Sequence, residues 1–478
     1  MSILKDLKPQ SVFRYFEEIS NVPRGSGNRD GICRYCIGVA EKLGLRYATD
    51  EAKNVVIYKP ASAGYESAPT MILQGHTDMV CQKEEGVEID FEKDGIRLLT
   101  DGEWVKADGT TLGADNGIAM AMILAVLEDD TLAHPPIEAL FTADEEIGLL
   151  GASALSGDLF SGKRLINLDS EEEGFITVSC AGGCDVSLSL PLLRTETKGT
   201  AVTLTVRGLQ GGHSGVEIDK GRVNASLLLG RILNHLQTDF AILSVDGGDK
   251  GNAIPRAATA ELLTAAPDAL CREAEDYFKT LKAELSDREP DVAFSCLAGE
   301  VKTAAVFDAE TTKRAVYLLT CAPNGILEMS KSIENLVETS LNLGVVCTEK
   351  DTLQLLFALR SNKQSALDAL EEKVLCFGRG AGCKTSASGH YPPWEYREES
   401  PLRQQAVELM TATDGQPPQV VAIHAGLECG VLASKIEGLD CISIGPDLRD
   451  VHTVNERLSV ASTEKTYRLL TELLKACK

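Results

Sequence analysis

The sequence predicts a two-domain protein in which an α/β domain is interrupted by a large α+β insertion. The chain of 478 residues is longer than one domain ordinarily is. Helical patterns alternate with short apolar runs over 1–180 and again over 394–478, whereas 181–393 contains longer strands of alternating polarity. We therefore expect one α/β domain built from 1–180 and 394–478, and a second, α+β domain built from 181–393.

The first segment shows the α/β rhythm most clearly. Helical patterns near 10–20 and 28–43 are followed by the apolar runs NVVIYK and TMILQ, a long helix over 117–128, and the runs IEALFTA and RLINLD. Short apolar runs that alternate with helices are typical of a sheet covered by helices. The same rhythm returns after 394, with a helix over 400–412, PQVVAI, AGLECGVLASKI, CISIG and a terminal helix.

The middle segment has a different pattern. Its strands, such as TAVTLTVRG, ATAELLTA and TLQLLFALRS, are longer, and we expect a helix between each strand and the next. The segments that begin with TAVTLTVRG and TLQLLFALRS share an outline of strand, arginine, polar loop and helix. This outline is compatible with an internal duplication.

Charge and composition exclude several functional classes. The formal net charge of -24 argues against a nucleic-acid or anionic-membrane partner, because both select basic surfaces. The start MSILKDLKPQ lacks a signal-peptide pattern and no 18 consecutive residues are apolar, so we expect a cytoplasmic protein. The 14 cysteines are then expected to remain free thiols, and the CxxC of Cys33 and Cys36 to lie on an amphipathic helix.

Polar residues follow three of the predicted strands. TMILQ leads into His76 and Asp78, which point the same way in an extended chain, so that one can bind a metal while the other orients its imidazole. IEALFTA is followed by a carboxylate run that includes Glu145 and Glu146, and RLINLD ends in Asp169. In open α/β sheets, ligands bind at the carboxyl ends of strands.

Two further residues complete this set. Asp115 lies between glycines just before the long helix, and His452 lies in a loop before the last helix. Taken singly, these residues are typical of a polar turn, a helix N-cap or a solvated loop. Together, two imidazoles and several carboxylates are the ligand chemistry of a two-metal hydrolase, with one glutamate left over to move a proton.

At these residues the sequence resembles the M20 metallopeptidase family, and within it the aminoacyl-histidine dipeptidase branch, also called cytosolic non-specific dipeptidase. The resemblance covers essentially the whole chain. The segments that carry it are GHTDMVCQK, TLGADNGIA, FTADEEIGLLGA, LINLDSEEEG, GGHSGVEI, APNGILEMS, VETSLNLG, YPPWEY, HAGLECG and VHTVNERLSV. It implies a zinc-peptidase catalytic domain with a mixed sheet, interrupted by a large α+β lid domain.

The resemblance also implies a role for each member of the set. Two zinc ions are implied, with the following ligands: His76 and Asp169 on one ion, Glu146 and His452 on the other, and Asp115 bridging both. Asp78 would orient His76, and Glu145 would be the general base. In the family the peptide bond after the bridging aspartate is often cis. Carboxylate-rich sites also accept manganese or cobalt in place of zinc.

The lid is implied to supply the residues that contact the substrate. His213, in GLQGGHSG, would polarise the scissile carbonyl and stabilise its oxyanion. Asn252 and Arg360 match substrate-contacting positions, and Arg360 suits a bidentate grip on a carboxylate. The backbone of Gly426 would approach the carboxyl end of the substrate. Four other histidines are expected to be structural or on the surface: His134, His235, His390 and His424.

The implied activity is hydrolysis of unblocked dipeptides, including Xaa-His substrates of the carnosine type, by a metal-bridging hydroxide. Other reactions of the family are alternatives: tripeptidase, carboxypeptidase or N-acyl amino acid deacylase. A non-catalytic metal-binding protein on the same fold is a further alternative, although the ligand set is complete. Homodimerisation through the lid is implied for relatives, and the sequence does not decide whether His213 acts within its own chain or across a dimer.

Overall fold

The computed structural model describes residues 3–478, and at Asp414 it describes the backbone only. The chain forms two compact units. The first contains the chain up to Cys180, Trp394–Ala422 and Leu427–Lys478, and the second contains Ala181–Pro393 with Ile423–Gly426. The short stretch Ile423–Gly426 therefore belongs to the second unit, although the sequence analysis placed all of 394–478 in the α/β domain. The reason is local, because the N–H of Ala181 donates to the carbonyl oxygens of Ile423 and Ala425 at 3.1 and 3.0 Å.

The first unit combines helices with short strands, as predicted. In chain order its elements are α1 (Gln10–Ser20), α2 (Arg29–Lys42), β1 (Arg46–Thr49), β2 (Val55–Lys59), β3 (Met71–His76), β4 (Leu98–Thr100), β5 (Trp104–Ala107), α3 (Ala114–Glu128), β6 (Ile137–Thr142), α4 (Leu150–Ala154), β7 (Arg164–Asn167) and β8 (Phe175–Cys180).

The second unit follows, and its own strands are longer. Its elements are β9 (Gly182–Pro191), β10 (Arg194–Arg207), β11 (Gly212–His213), α5 (Ala225–His235), β12 (Ala241–Gly247), β13 (Ala253–Ile254), β14 (Ala258–Thr264), α6 (Pro267–Leu285), β15 (Ala293–Phe307), α7 (Ala309–Cys321), β16 (Gly325–Met329), β17 (Val337–Thr348), β18 (Thr352–Ser361), α8 (Gln364–Gly380) and β19 (Lys384–Tyr391).

The chain then returns to the first unit, apart from Ile423–Gly426, and ends there. The remaining elements are α9 (Pro401–Asp414), β20 (Gln419–Ile423), α10 (Glu428–Lys435), β21 (Asp440–Ser443), β22 (Leu448–Arg449), β23 (Arg457–Ser459) and α11 (Val460–Ala476).

A mixed sheet of eight strands organises the first unit, in the order β1-β2-β6-β3-β7-β21-β8-β20. Its centre is parallel, because β3 pairs in parallel with both β6 and β7, and β7 pairs in parallel with β21. All six residues of β3 and all six of β6 are buried, the polar Gln74, His76 and Glu138 among them, as expected for strands in the parallel centre of a sheet. The predicted α/β fold with a mixed sheet is confirmed.

The long helix α3 packs beside this parallel centre, against β3 and α1. Asp115 and Asn116 have non-helical backbone angles, so the regular helix begins at Gly117, as the sequence predicted. Every residue from Gly117 to Leu127 is buried. A helix that is apolar on all sides is expected only inside a protein core, and α3 is such a helix.

An antiparallel sheet of nine strands organises the second unit. Its order is β15-β10-β14-β12-β17-β18-β9-β19, with β16 paired to β17. Helices α5 to α8 pack on it around a core that includes Leu204, Leu229, Phe307 and Phe357. Helices separate the strands that the sequence singled out, β10, β14 and β18. The expectation of a helix between each strand and the next is wrong at several other connections, among them β9 to β10, of two residues, and β17 to β18, of three, which pair as an antiparallel hairpin.

The cysteines differ from the prediction at one pair. Cys271 on α6 and Cys296 on β15 form a disulfide, with their Cα atoms 5.6 Å apart. The assignment of all thiols as free is wrong for this pair, because it rested on compartment and could not foresee which thiols the packing of α6 on β15 brings together. Cys33 and Cys36 are buried free thiols on α2. Within residues 3–478, no helix combines the length and the apolar character needed to cross a membrane.

Candidate metal centre

The candidate centre lies where the parallel strands of the first unit end. His76 is the last residue of β3, Glu145 and Glu146 follow β6, and Asp169 follows β7. Because β6, β3 and β7 are neighbours that run in the same direction, their carboxyl ends meet at one edge of the sheet. This topology brings together the polar residues that the sequence placed after three separate apolar runs.

Asp115 lies at the middle of the centre, between the two histidines. Its Oδ1 is 3.0 Å from Nε2 of His76, and its Oδ2 is 3.0 Å from Nε2 of His452. Each histidine also faces a second carboxylate, Asp169 at 3.5 Å from His76 and Glu146 at 2.9 Å from His452. One aspartate therefore joins two groups of potential ligands that have the same composition of one histidine and one further carboxylate.

Within each group the ligand atoms are close enough to share one ion. The atoms of His76, Asp115 and Asp169 all lie within 4.8 Å of one another, and so do those of Asp115, Glu146 and His452. Imidazole nitrogen and carboxylate oxygen are the ligands that Zn²⁺ takes in hydrolases, and they also suit manganese and cobalt. The donor chemistry therefore fits two divalent cations that share Asp115.

Asp78 connects the two strand ends behind the ligands. Its carboxylate lies 3.5 Å from Nδ1 of His76 and accepts hydrogen bonds from the backbone N–H groups of Glu145 at 2.9 Å and Glu146 at 3.3 Å. The hydroxyl of Ser26 donates a further bond at 2.7 Å. Asp78 can therefore orient both the imidazole of His76 and the loop that carries the two glutamates.

Charge and burial strongly perturb the titration of these groups. Burial acts to lower the pKa of His76, but the neighbouring Asp169, Asp115 and Asp78 outweigh it and hold the pKa well above its ordinary value. Hydrogen bonds to the carboxylates of Asp115 and Glu146 raise the pKa of His452 to about 11. Burial raises the pKa of Asp169 to about 6 and that of Glu145 well above its ordinary value. The carboxylates that raise the pKa of the two imidazoles do so by attracting positive charge, and the same attraction favours bound cations.

Two buried charged residues that sequence reasoning missed hold the backbone around Asp115. The carboxylate of Glu456 accepts hydrogen bonds from the N–H groups of Leu112, Gly113, Ala114 and Asp115, at 2.8, 2.9, 2.8 and 3.3 Å. Glu456 lies four residues after His452 in the chain. The loop region that supplies the potential ligand His452 therefore also holds the backbone that leads to Asp115. Nothing in its local sequence distinguishes it from a surface glutamate.

Arg24 is the second of these residues, and it is almost completely buried. Its guanidinium donates to the carbonyl oxygens of Thr77 at 3.1 Å, Asp78 at 3.0 Å and Gly113. Gly113 has φ 68°, and a Cβ there would lie 2.6 Å from Nη2 of Arg24. The glycine before Asp115 therefore makes room for the arginine that joins the β3 end to the start of α3.

The backbone itself is unusual at three positions of the centre. The peptide bond between Asp115 and Asn116 is cis. Asp144 and His452 adopt left-handed conformations, with φ 52° and 62°. Asp144 is held there by Gly27 N–H at 2.7 Å and by an ion pair with Arg29 at 2.7 Å. Left-handed residues other than glycine are uncommon and concentrate at functional sites.

The other predicted residues lie in the second unit, which has its own polar cluster. Nδ1 of His213 accepts hydrogen bonds from the N–H groups of Gly215 at 3.1 Å and Val216 at 3.2 Å. A ring nitrogen that accepts has no proton, so the proton of the neutral ring must be on Nε2. Burial and the charge of Arg360 lower the pKa of His213. His213 is thus held as a neutral imidazole whose Nε2–H can donate.

Arg360, near the end of β18, is the cation of this cluster. It is 9% exposed, and its Nη1 donates to the hydroxyl of Tyr391 at 2.8 Å. Its Nε has no hydrogen-bond partner, and within residues 3–478 no carboxylate forms an ion pair with it. A Cβ at Gly426 would lie 2.9 Å from the Tyr391 ring, so the glycine allows that ring to reach Arg360. The family-like segment YPPWEY contained Tyr391, although no role was predicted for it.

The remaining residues of the second unit have simpler environments. Asn252 is exposed, and its carbonyl oxygen accepts from the N–H of Ser214 at 2.9 Å, beside His213. His424 is buried, and its imidazole bonds to Ser340 at 2.7 Å and Asn362 at 3.2 Å. This agrees with the structural role expected for His424. His390 is at the surface, as expected, and lies 2.7 Å from the carboxylate of Glu371.

Comparison with known proteins identifies the family of this chain. The model of peptidase family M20/M25/M40 matches residues 72–476. The cytosol non-specific dipeptidase of Escherichia coli K12 is 40% identical over 481 aligned residues, which cover 99% of both chains.

Solved structures give the same result. The chain superposes on the aminoacylhistidine dipeptidase of Vibrio alginolyticus with a TM-score of 0.92 and 36% identity, covering 99% of this chain and 98% of that one. An aminopeptidase of Bacillus cereus shares the fold with a TM-score of 0.57 at 16% identity, covering 98% of each chain.

Proposed function

Because the chain belongs to peptidase family M20/M25/M40, we propose that it hydrolyses unblocked dipeptides, including Xaa-His, at a centre of two divalent metal ions. One observation carries the proposal: the two oxygens of Asp115 face two histidines, each of which has a further carboxylate beside it. This is the donor arrangement of a two-metal hydrolase.

The ligands of the first ion would be His76 and Asp169, those of the second Glu146 and His452, and Asp115 would be shared. Zinc is the expected ion, and manganese or cobalt also suit these donors. Such ions, when bound, lower the pKa of water and polarise a carbonyl group. Asp78 would fix the ring of His76, because its carboxylate faces Nδ1 while Nε2 faces the shared aspartate.

Glu145 would be the general base. It follows β6 beside the ligand Glu146, and Asp78 holds its backbone N–H. Among the carboxylates of the strand-end set, Glu145 and Asp78 are left over after each ion has two ligands and the shared Asp115, and Asp78 faces His76. Its carboxylate would accept a proton from the attacking water and deliver it to the leaving amine, a role that typically contributes about 100- to 10,000-fold to the rate.

The second unit would contribute a donor and a cation. His213 is held as the tautomer that donates from Nε2, which suits a hydrogen bond to the scissile carbonyl oxygen as negative charge develops on it. The buried Nε–H of Arg360 lacks a partner, which suits a ligand carboxylate such as the free carboxyl end of a dipeptide. Asn252 and the backbone of Gly426 would contact the substrate beside them. In this proposal the first unit is the catalytic domain and the second is the lid.

The preference for dipeptides rests on relatives that cover nearly the whole chain. The Escherichia coli and Vibrio alginolyticus proteins are named as dipeptidases, and they match both units. The more distant aminopeptidase shares the fold alone. A cytoplasmic location follows the name of the Escherichia coli relative, and association of two chains through the second unit is part of the proposal.

The proposal is tested by hydrolysis assays on chelator-treated protein before and after addition of zinc, manganese or cobalt. The substrates are Xaa-His and other unblocked dipeptides, a tripeptide series and N-acyl amino acids. Metal-restored cleavage confined to dipeptides is the expected result. Cleavage of tripeptides or N-acyl substrates alone would contradict dipeptide specificity while retaining the two-metal chemistry. Absence of cleavage with every metal would contradict the catalytic proposal.

A further inference from the structure

A second group of potential metal ligands lies in the second unit and includes a cysteine. Cys184 on β9, Glu371 on α8 and His390 on β19 offer a sulfur, an oxygen and a nitrogen atom that all lie within 4.8 Å of one another. Nε2 of His390 is 2.7 Å from Oε2 of Glu371, and Sγ of Cys184 is 3.6 Å from the same oxygen. None of these three residues belongs to the centre described above.

The fold brings the three residues together through an irregularity in strand pairing. Gly183 pairs with Tyr391 and Asp185 with Ser388, so Cys184 alone faces the two residues Gly389 and His390. Two residues opposite one is a β-bulge, and bulges commonly redirect a side chain. Helix α8 packs on both strands and carries Glu371 four residues after the buried Leu367. Three separate elements therefore converge on one point.

The spacing is close to that of a tetrahedral zinc site. With Zn–S of about 2.3 Å and Zn–N and Zn–O of about 2.0–2.2 Å, tetrahedral geometry separates sulfur from oxygen by about 3.6 Å and nitrogen from oxygen by about 3.4 Å. The observed sulfur–oxygen distance of 3.6 Å matches this separation. The nitrogen–oxygen distance of 2.7 Å is that of a hydrogen bond and has to widen. His390 can move, because its side chain is 54% exposed.

The charge around the site also favours a cation. Asp185 and Asp368 act electrostatically on Cys184 in addition to Glu371. In the described part of the chain, Glu371 forms an ion pair with His390 and with no lysine or arginine. Cys184 is 3% exposed and His390 is at the surface, so one side of the site is anchored in the core and the other opens to solvent. An ion bound there would keep a fourth position for water.

From this geometry we propose that Cys184, Glu371 and His390 form a zinc site in the second unit, separate from the strand-end centre. Thiolate, imidazole and carboxylate together select zinc or cobalt over magnesium and calcium, which prefer oxygen ligands alone. The ion links the edge strand β19 to β9 and α8. The site does not depend on the proposed catalytic function, because it shares no residue with that centre.

Cobalt substitution tests the site, because a thiolate bound to Co²⁺ gives a charge-transfer band in the near ultraviolet. The strand-end centre contains no cysteine ligand, so this band reports on thiolate coordination and not on turnover. Chelator-treated full-length protein is kept in a reductant that contains no thiol and is titrated with Co²⁺. We expect a band that saturates at one thiolate-bound ion per chain and disappears when Zn²⁺ displaces the cobalt.

Variants assign the band to its ligands. Cys184→Ser should abolish it, and His390→Ala should raise the cobalt concentration at its midpoint by at least about 10- to 100-fold, the loss that even outer-shell partners cause. Matched controls should retain the wild-type band and midpoint: Cys383→Ser, a largely buried thiol of the same unit, and His235→Ala, another exposed histidine of that unit.

Three results would overturn the proposal. These are absence of the band in wild-type protein at a large molar excess of cobalt, persistence of the band in Cys184→Ser, and an unchanged midpoint in His390→Ala. If Cys184→Ser does not fold, Glu371→Gln and His390→Ala decide, since both residues lie partly at the surface. A raised midpoint in both supports the site, and an unchanged midpoint in both leaves only an ion pair beside a buried thiol.

Discussion

The candidate metal centre of the first unit and the His213–Arg360 cluster of the second hold their histidines under opposite electrostatic conditions. In the first unit, carboxylates around His76 and His452 raise the pKa of both imidazoles. In the second, burial and the charge of Arg360 lower the pKa of His213 and His424. The first arrangement attracts cations, and the second keeps neutral imidazoles beside an arginine that can receive an anion. The difference supports the proposed assignment of the two-metal centre and proton transfer to the first unit and of substrate recognition to the second.

The supports of the two clusters differ as well. In the first unit, charged side chains that are themselves buried hold the backbone, as Glu456 does around Asp115 and Arg24 does at Thr77. In the second, neutral partners hold the rings, as Ser340 and Asn362 do for His424. Substitutions at the strand-end centre should therefore change metal binding or proton transfer, and those at the His213–Arg360 cluster should change substrate binding or its polarisation.

The largest effect is expected at Glu145 in the first unit. Glu145→Gln removes a proton acceptor without removing any of the five proposed ligands, so kcat should fall about 100- to 10,000-fold while both metals stay bound. Steady-state kinetics on a dipeptide together with metal analysis of the same sample measure the two quantities. His452→Ala should instead lower the metal content, because it removes a ligand.

The control for Glu145 is Glu172→Gln, since Glu172 is an exposed glutamate in the loop that follows Asp169. It should retain wild-type turnover and metal content. Full activity in Glu145→Gln would show that another group accepts the proton. It would contradict the assignment of proton transfer to Glu145 of the first unit.

A slightly smaller effect is expected at His213 in the second unit. His213→Ala should lower kcat by roughly 100- to 1,000-fold, the cost of losing one donor to a developing oxyanion, and should leave the metal content unchanged. His235→Ala is the matched control. Loss of metal in His213→Ala would break the comparison, because it would make this histidine part of the metal centre.

The support of Asp115 should have a smaller effect still. Glu456→Gln weakens the set of four N–H bonds that positions the backbone of the shared ligand, so metal affinity should fall about 10- to 100-fold. Competition with a chromogenic chelator measures the affinity. Glu464→Gln, an exposed glutamate on α11, should behave as wild type. Unchanged affinity in Glu456→Gln would show that the cis segment holds Asp115 without this carboxylate.

Which of these features the sequence could predict depends on how the residues come together. His76, Glu146 and Asp169 each follow an apolar run, and the parallel pairing of β6, β3 and β7 brings all such positions to one edge. Strand ends are visible in a sequence, so this centre could be predicted without knowing the register of any pair. His452 lies in a loop and not at a strand end, so its position before the last helix made it a candidate, and only resemblance to a family assigned it to the second ion.

The residues that the sequence did not predict meet through the pairing of neighbouring strands or through hydrogen bonds to the backbone. Cys184 and His390 meet because of a bulge between β9 and β19, and no pattern in either strand marks that register. Arg24 and Glu456 act through hydrogen bonds to main-chain groups, which leave no trace in the sequences that they contact. Ile423–Gly426 joined the second unit for the same reason, since bonds from the Ala181 N–H attach it there.

The smallest expected effect is a loss of stability at low pH, and it concerns His424 of the second unit. Burial, together with Arg360 and His213, lowers the pKa of His424 from 6.5 to about 3, so in the folded protein the ring stays neutral. The unfolded chain takes up a proton near the ordinary pKa, and therefore the contribution to stability is complete above pH 6.5 and is lost as the pH falls toward 3. The loss is about 1.4 kcal/mol per pH unit in that window, or roughly tenfold in the unfolding equilibrium.

Hydrogen exchange of the full-length protein at pH 7.5 and 5.5, followed in peptides from β17 and β18, should show faster opening at the lower pH in wild type. His424→Gln should remove most of this difference and His235→Gln should not. An equal pH dependence in wild type and His424→Gln would mean that the second unit does not keep this ring neutral, and the contrast with His76 and His452 would then rest on His213 alone.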